Sequence, residues 1–280
     1  MHEDNPPLSI IVCTNDLSVA RKYILSNEEQ IKRLNIEVII IDNTGNLKFT
    51  SIADAYNKGV EIAKSELLMF VHHDTVINDL TSLTNVISYC SSSQFGIVGS
   101  CGVSNNHMFY SDRNVTSNNP DLKFSNPMTA DVVDDTLFFV RRSVLIREPF
   151  DSQTITGFHL CATEYCVRMH MINLPVILYP LDISHFNIQS NNSSPKKESY
   201  RIRKHMISWI NISKKLKRKY PDSVIISIQG KIDIKLLFVY SIYYKFVLRI
   251  FPNSGRRLLR YLGNSLFFSR LVNLTLRGYR

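Results

Sequence analysis

The amino-acid sequence predicts an α/β fold built on a doubly wound, mostly parallel sheet. Short apolar runs alternate along the first 190 residues with longer segments that carry apolar residues at helical spacing. Three of these runs end in polar residues, which is typical of parallel strands whose carboxyl ends border a ligand crevice. With 44% hydrophobic and 20% charged residues, the 280-residue chain can bury a sizeable core, which excludes a disordered protein.

The first part of the chain contains four apolar runs, each of a length that suits a buried strand. They are LSIIV (8–12), EVIII (37–41), LLMFV (67–71) and FGIVG (95–99). Helices are predicted between them over 18–34, 51–66 and 79–90, and the second has apolar or small residues along one face. This alternation is the sequence pattern of a parallel sheet with crossover helices.

The following residues are less regular. Residues 100–128 are polar and rich in Asn and Ser, and they are expected to form a long surface loop. Strand character returns in ADVVDDTLFFVRRSVL (130–145), with two aspartates inside it. A loop and a helix are expected over 150–175, and VILYP (176–180) resembles a strand. Strands are thus expected on both sides of the loop.

The polar residues that end the first three strands are candidates for ligand binding. They are Asn15 and Asp16, Asp42 and Asn43, and the trio His72, His73 and Asp74. Their coincidence at one predicted sheet edge indicates a site. A carboxylate beside an imidazole suits a divalent cation, and the imidazole favours Mn²⁺ over Mg²⁺. The chain has neither G-x-G-x-x-G after the first strand nor G-x-x-x-x-G-K-[ST], so a metal is the expected means of neutralising a diphosphate.

Several segments, in this order and spacing, resemble the inverting nucleotide-sugar glycosyltransferases of family 2, which have the GT-A fold. They are LSIIVCTND, VIIIDNTGN, IADAYNKGVEIAKSELLMFVHHD, DDTLFFVRRSVL, FDSQTITGFHLCATEYCVRM and a later SHF. The family has Asp-x-Asp after the third strand, where this chain has His72-x-Asp74. The resemblance implies a GT-A-like nucleotide-sugar-binding and catalytic domain over residues 1–190.

The resemblance also implies roles for individual residues. Asp74 would hold the metal that bridges the donor diphosphate, and His185 would be a second metal ligand. His72 would touch the ribose or the diphosphate, and Asp42 would read the nucleotide base. The other residues expected to contact the donor are Thr14, Asn15 and Asn57. Ordinary structural roles are the alternatives: a turn or a helix cap for Asp74, a turn for Asp42, and a surface hydrogen bond for His185.

Inverting transfer also needs a general base that takes the proton of the attacking acceptor hydroxyl. In LCATEYC, the position that the family fills with this base is Ala162, and only Glu164 is acidic. A subset of the family resembles this chain in having a histidine upstream, here His159, which can share a site with Glu164 only if it precedes the helix. Asp135 is a third candidate, for contact with the acceptor or the sugar. Alternatively, Glu164 pairs with Arg168 one helical turn away.

Charge divides the chain into two parts of opposite sign. From Lys196 onward there are 20 Lys/Arg and 3 Asp/Glu, whereas the preceding residues hold 13 and 21. Basic residues among Leu, Phe, Tyr and Ile at near-helical intervals predict a basic helical region over 191–280 that contacts an anionic membrane. Its apolar run 236–244 is too short to span a bilayer. A solvated helical bundle is the alternative, and nucleic acid is not the expected partner.

These observations together predict a metal-dependent inverting glycosyltransferase with Mn²⁺ or Mg²⁺ as cofactor and a UDP-linked sugar as donor. The expected acceptor is a lipid-linked glycan in bacterial surface polysaccharide synthesis, by analogy. The N-terminus lacks a signal-peptide pattern and the five cysteines include no C-x-x-C pair, so the inner face of the plasma membrane, in the cytoplasm, is the expected location. A catalytically inactive GT-A-like protein that binds nucleotide or glycan is the alternative, favoured by Ala162.

Overall fold

The computed structural model describes residues 6–114, 123–186, 195–227 and 230–233, together with 237 and 241. The chain divides into two compact units. The first contains Met1–Asn187 and Ile226–Ile228, and the second contains Ile188–Ile225 and Gln229–Arg280. The assignment of catalysis to residues 1–190 and of membrane contact to 191–280 concerns function, and it stays a prediction.

Strands and helices alternate along the chain. The strands are β1 (Ser9–Thr14), β2 (Glu37–Asp42), β3 (Leu67–Val71), β4 (Thr75–Ile77), β5 (Ile97–Gly99), β6 (Cys101–Ser104), β7 (His107–Tyr110), β8 (Met128–Thr129), β9 (Val132–Val133), β10 (Leu137–Arg141), β11 (Val176–Leu178), β12 (Ile183–His185), β13 (Ile226–Ser227) and β14 (Gly230–Lys231). The α-helices are α1 (Leu17–Ile24), α2 (Glu28–Arg33), α3 (Ile52–Ile62), α4 (Leu80–Ser92), α5 (Arg142–Arg147), α6 (Cys161–Met171) and α7 (Pro195–Lys219).

Seven strands form the central sheet of the first unit, in the order β2-β1-β3-β10-β5-β11-β8. β1 pairs in parallel with β2 and with β3, and β11 pairs in parallel with β5. β10 lies antiparallel between β3 and β5, and β8 is an antiparallel edge strand. Five of the seven strands therefore run in one direction, which confirms the predicted α/β fold with a mostly parallel sheet.

The middle of this sheet is apolar because it is buried on both faces. All five residues of β3 are buried. Tyr56 of α3 packs on Phe70 of β3 with ring centroids 4.7 Å apart, and Phe138 of β10 stacks on Phe70 at 5.0 Å. Gly59 allows α3 to approach β1, since a Cβ at this position would lie 2.4 Å from Cγ2 of Ile11. This packing fixes β3, the strand that leads into His72 and Asp74.

Three expectations about the elements are wrong. Residues 101–110, expected in a surface loop, form the antiparallel pair β6 and β7, and β6 also pairs with β9 in a three-stranded sheet. The helix expected over 18–34 is interrupted by a 3₁₀ turn at Leu25–Asn27, which separates α1 from α2. Asp134 and Asp135 lie between β9 and β10 rather than within a strand. Residues 115–122 of the expected loop lie outside the described residues.

In the second unit, α7 is a strongly basic helix with ten Lys/Arg and one Asp/Glu among its 25 residues. Its buried side chains include Trp209, Ile210, Ile212 and Leu216. Its exposed side chains include Lys204, Arg218 and Lys219. No helix within the described ranges is long and apolar enough to cross a membrane. The apolar run 236–244, apart from 237 and 241, and the basic segments after it lie outside these ranges.

Candidate metal and donor-binding site

Three residues that can bind a metal meet where β3 ends. His72 and Asp74 follow β3, and β4 begins at Thr75. β12 pairs antiparallel with β4, so that His185 lies opposite Thr75. One possible ligand atom from each of His72, Asp74 and His185 lies within 4.8 Å of the other two. The structure thus brings together three residues that are 2 and 111 positions apart in the sequence.

Backbone hydrogen bonds hold the turn that carries these side chains. The amide of His72 donates to the carbonyl of Thr136 at 2.9 Å, and the amide of Thr75 donates to the carbonyl of His72 at 3.2 Å. On the other side, the amide of Phe186 donates to the carbonyl of Asp74 at 2.9 Å. The cluster is therefore anchored to the start of β10 and to the end of β12.

His185 and Asp74 are in direct contact, with Nε2 of the imidazole 3.1 Å from Oδ1 of the carboxylate. Burial alone would raise the pKa of Asp74, but the hydrogen bond from His185 and the charges of the nearby histidines lower that pKa to about 2. Burial also opposes a charge on His185, yet the hydrogen bond and the charge of Asp74 raise its pKa above the ordinary value. Burial, reinforced by His185, lowers the pKa of His72. The cluster thus combines an ionised carboxylate with one imidazole that is kept neutral.

This donor set fits a divalent cation of intermediate hardness. It offers one carboxylate and two imidazoles, and imidazole nitrogen suits Mn²⁺ better than Mg²⁺, which prefers oxygen ligands. Metal binding needs neutral imidazoles, a state that burial already favours at His72. To bind the cation through Nε2, His185 would give up the hydrogen bond that this nitrogen makes to Asp74.

Thr14 and Asn15 lie at the end of β1, the strand next to β3. Oγ1 of Thr14 lies 2.7 Å from Nδ1 of His73, and it hydrogen-bonds with both the amide and the carbonyl of Asp16. Thr14 thereby connects the end of β1 to the turn that contains Asp74. Asn15 is half-buried. The donor contacts expected of Thr14 and Asn15 stay predictions.

Asp42 and Asn57 both have structural partners. Those of Asp42 fit the turn that is the alternative to base recognition, whereas the sequence did not indicate those of Asn57. Oδ1 of Asp42 accepts hydrogen bonds from the amide and the hydroxyl of Thr44 at 2.9 and 2.6 Å, which lowers the pKa of this exposed carboxyl. The amide group of Asn57 donates to the carbonyl of Phe150 and accepts from its amide, both at 2.9 Å. These bonds explain both residues without a ligand, and their donor roles stay predictions.

Glu164 and His159 lie in and before α6. Glu164 is fully buried, and its Oε2 lies 3.0 Å from Nε of Arg168, in the pair that the helical spacing suggested. His159 is half-buried and precedes α6, which satisfies the geometric condition for sharing a site with Glu164. The geometry gives Glu164 a structural role, and a catalytic role for either residue stays a prediction.

Asp135 binds the start of α6. Its Oδ2 accepts from the amide of Leu160 at 2.7 Å, and its Oδ1 accepts from the amide of Ala162 at 2.6 Å. Burial and the charge of Asp134 raise the pKa of Asp135 to about 7, although the amides at the start of α6 act in the opposite direction. Asp135 therefore caps a helix and has a pKa suited to proton transfer near neutrality, and its role in catalysis stays a prediction.

Two further carboxylates affect the pKa values of the cluster formed by His72, Asp74 and His185. The charges of Asp112 and Asp134 both raise the pKa of His185, and Asp134 acts on His72 in the same way. Asp134 could have been found from its place before β10, the strand that pairs with β3. Asp112 had no such signal, because it follows a hairpin that periodicity did not detect.

A family model described as "Glycosyltransferase like family" matches residues 9–208. The chain belongs to this family. Among solved structures, the mannosyltransferase PcManGT from Pyrobaculum calidifontis, in complex with GDP-Man and Mn²⁺, is 14% identical with a TM-score of 0.51, over 99% of this chain and 82% of that chain. This likeness shows the GT-A fold, and the family match makes the protein a glycosyltransferase, as the resemblance implied.

Two other solved structures are similar with lower scores. A Drosophila β-1,4-galactosyltransferase 7 variant, in complex with manganese, UDP-Gal and xylobiose, is 15% identical with a TM-score of 0.44, over 69% of this glycosyltransferase and 79% of that chain. TarS from S. aureus, in complex with UDP-GlcNAc, is 12% identical with a TM-score of 0.41, over 77% and 73%. No curated protein matches the chain.

Proposed function

We propose that this glycosyltransferase is metal-dependent and inverting, and that it transfers a sugar from a nucleotide-diphosphate donor, UDP-linked, to a lipid-linked glycan in surface polysaccharide synthesis. The observation that carries the metal dependence is the cluster of His72, Asp74 and His185 at the end of β3. Mn²⁺ in the complex of PcManGT supports the same cofactor for this chain.

Each part of the chemistry has a residue in this chain. Asp74, His185 and His72 would hold Mn²⁺, which when bound supplies positive charge to the departing diphosphate. Asp42, at the end of β2, would contact the nucleotide base. The proton of the acceptor hydroxyl would pass to Asp135 or His159, since the carboxylate of Glu164 is buried against Arg168.

A thermal-shift screen tests the donor and the metal together. Nucleoside diphosphates of different bases are added to the full chain with and without Mn²⁺, and ligand-linked stabilisation reports base preference and metal dependence. We expect the largest rise in Tm with UDP and Mn²⁺, and no rise with UDP in excess EDTA. A rise that survives EDTA contradicts the metal role, and equal rises with all bases contradict the UDP preference.

A protein that binds the donor without turnover is the second candidate. Two observations favour it. Ala162 stands at the position where the family has its base, and the carboxylate of Glu164 forms an ion pair with Arg168. Donor binding by the wild type without hydrolysis or transfer to any acceptor would support this candidate. Turnover that is lost in Asp135→Asn or His159→Ala would exclude it.

We also propose that the protein works at the cytoplasmic face of the plasma membrane. The basic surface of α7 supports this location, because Lys/Arg outnumber Asp/Glu ten to one in this helix. Anionic lipid headgroups attract such a surface, and a lipid-linked acceptor would lie in the same membrane.

A further inference from the structure

β12, the strand that carries His185, has only three residues and ends at the histidine itself. It pairs with β4, and it has a second neighbour in the segment that follows β7. There, Asp112 forms a parallel bridge with Ile183, and the amide of Arg113 donates to the carbonyl of Ile183 at 2.9 Å. The segment 111–114 therefore lies along the strand that presents a proposed metal ligand.

Two side chains of this segment bind the backbone of His185. Oδ1 of Asp112 accepts from the amide of His185 at 3.1 Å, and Nδ2 of Asn114 donates to the carbonyl of His185 at 3.0 Å. The same Oδ1 also accepts from the amide of Asn114 at 2.9 Å, so the two side chains act together. Both polar backbone groups of one residue are thus held by side chains. We propose that Asp112 and Asn114 are positioning residues that set His185 for cation binding.

We call Asp112 and Asn114 together the clamp on His185. The position of His185 at the end of a strand explains why the site would need this clamp. The end of a short strand opens more easily than its middle, because fewer backbone bonds hold it. A metal ligand must be held in place before the cation arrives, and the groups that orient ligands contribute strongly to affinity. Asp112 is only 6% exposed, so water competes little for its bond to His185. The clamp rests on the proposed metal function, and it adds two residues, 71 and 73 positions away from His185, to that function.

The test measures Mn²⁺ binding rather than turnover. Free Mn²⁺ is followed by electron paramagnetic resonance during titration of the full chain, for the wild type, Asn114→Ala, Asp112→Ala and Asp112→Asn. We expect Asn114→Ala and Asp112→Ala to weaken Mn²⁺ binding by about tenfold or more. Asp112→Asn keeps an oxygen acceptor for the amide of His185, so it should stay within about threefold of the wild type. Because Asn114 is exposed, Asn114→Ala should leave the stability of the metal-free fold unchanged. Its urea midpoint of unfolding in EDTA should therefore equal that of the wild type.

Asn126→Ala is the matched control, since Asn126 is exposed and its amide contacts only a neighbouring hydroxyl at 3.5 Å among the described bonds. Wild-type Mn²⁺ affinity in Asn114→Ala, or an equal loss in Asn126→Ala, overturns the clamp and leaves the metal site standing. A wild type that binds no Mn²⁺ overturns both the clamp and the metal role. If Asp112→Ala does not fold, Asn114→Ala alone decides.

Discussion

At the scale of single residues, Asp74 is the decisive member of the proposed metal site. Its carboxylate is buried, its pKa is lowered to about 2, and it contacts His185. Asp74→Asn keeps the shape of the side chain and removes its charge, so we expect Mn²⁺ affinity and donor turnover to fall by about 100-fold. Mn²⁺ titration and donor hydrolysis measure the two losses.

Asp54→Asn is the control for this change, because Asp54 is an exposed carboxylate in the first turn of α3. It should bind Mn²⁺ and turn over the donor as the wild type does. Turnover that persists in Asp74→Asn under excess EDTA would show that the reaction needs no metal at this position.

Glu164 gives a second test at this scale, because its buried pairing with Arg168 predicts a structural role. Glu164→Gln leaves the guanidinium of Arg168 less compensated, although the carboxylate of Glu148 remains 3.8 Å from it. We expect the free energy of unfolding to fall by about 1–3 kcal/mol while turnover stays within about threefold of the wild type. Urea unfolding and steady-state kinetics measure the two effects.

Glu61→Gln is the matched control, since Glu61 pairs with Lys58 on the exposed face of α3. Its effect on the free energy of unfolding should stay below about 1 kcal/mol. If Glu164→Gln instead keeps the wild-type free energy of unfolding and its turnover falls by about 100-fold or more, Glu164 is the general base.

The sequence predicted that His72 and Asp74 lie at the ligand-binding edge, because a parallel sheet collects the ends of its strands at one edge. Metal binding is the expectation for Asp74 and His185, and donor contact is the expectation for His72. His72 and Asp74 directly follow an apolar run, and the resemblance to family 2 supplied His185. Other hydrogen-bond partners cannot be predicted from the sequence. Phe150, for example, binds Asn57 across 93 positions through backbone groups that any residue type offers. The sequence therefore predicts that a polar residue lies near a site more readily than it predicts the hydrogen bonds that this residue makes within the protein.

At the scale of elements, Asp135 at the start of α6 makes the stability of the fold depend on pH. Folding raises the pKa of Asp135 from 3.8 to about 7, so folding favours the protonated carboxyl. The stability that this group contributes is complete below pH 3.8 and is lost as the pH rises through about 7. Relative to Asp135→Asn, which does not titrate, we expect the wild type to lose on the order of 1–3 kcal/mol between pH 5 and pH 8. Urea unfolding across this range measures the difference.

Asp54→Asn serves again as the reference, and its difference from the wild type should stay constant over the same pH range. If the wild type instead gains stability over Asp135→Asn as the pH rises, the carboxylate is ionised throughout, and its helix-capping bonds outweigh its burial.

The elements that the sequence failed to predict are short. β6 and β7 have four residues each, and the first reads Cys-Gly-Val-Ser, which offers one alternation and no long apolar run. All five residues of β3 and the first four of β10 are apolar and buried, and they form continuous apolar runs because both faces are covered. The detectable strands are therefore those of the buried sheet, and the clamp on His185 was missed because it follows an undetected hairpin.

At the scale of the whole molecule, the separation of charge suggests two kinds of binding. The residues before Lys196 hold 21 Asp/Glu and 13 Lys/Arg, and the residues from it onward hold 3 and 20. In α7 the apolar side chains that the structure describes as buried include Trp209 and Leu216, while Lys204 and Arg218 are exposed. The part of this helix whose side chains the structure describes, residues 204–219, therefore offers charge rather than an apolar face, which favours attraction to headgroups over insertion into a bilayer.

Vesicle binding tests this conclusion. Lys204, Arg218 and Lys219 are cations that the structure describes as exposed. Changing these three to Gln should weaken binding of the full chain to vesicles containing phosphatidylglycerol by about 100-fold, since each cation contributes about 1 kcal/mol. Salt should weaken wild-type binding as well. Trp209 is the single tryptophan of the chain and is buried, so its fluorescence should not shift on binding. Sedimentation with vesicles and emission spectra measure both effects.

A triple variant with the same loss of charge provides the comparison: Lys22, Lys32 and Arg33, all exposed on α1 and α2, are changed to Gln. If both triple variants weaken binding equally, net charge alone drives it and α7 is not the docking surface. Binding to neutral phosphatidylcholine as tight as to anionic vesicles, or a blue shift of Trp209, would point to insertion. Salt-sensitive binding to nucleic acid without binding to vesicles would reassign the basic surface, because phosphate backbones attract the same cations.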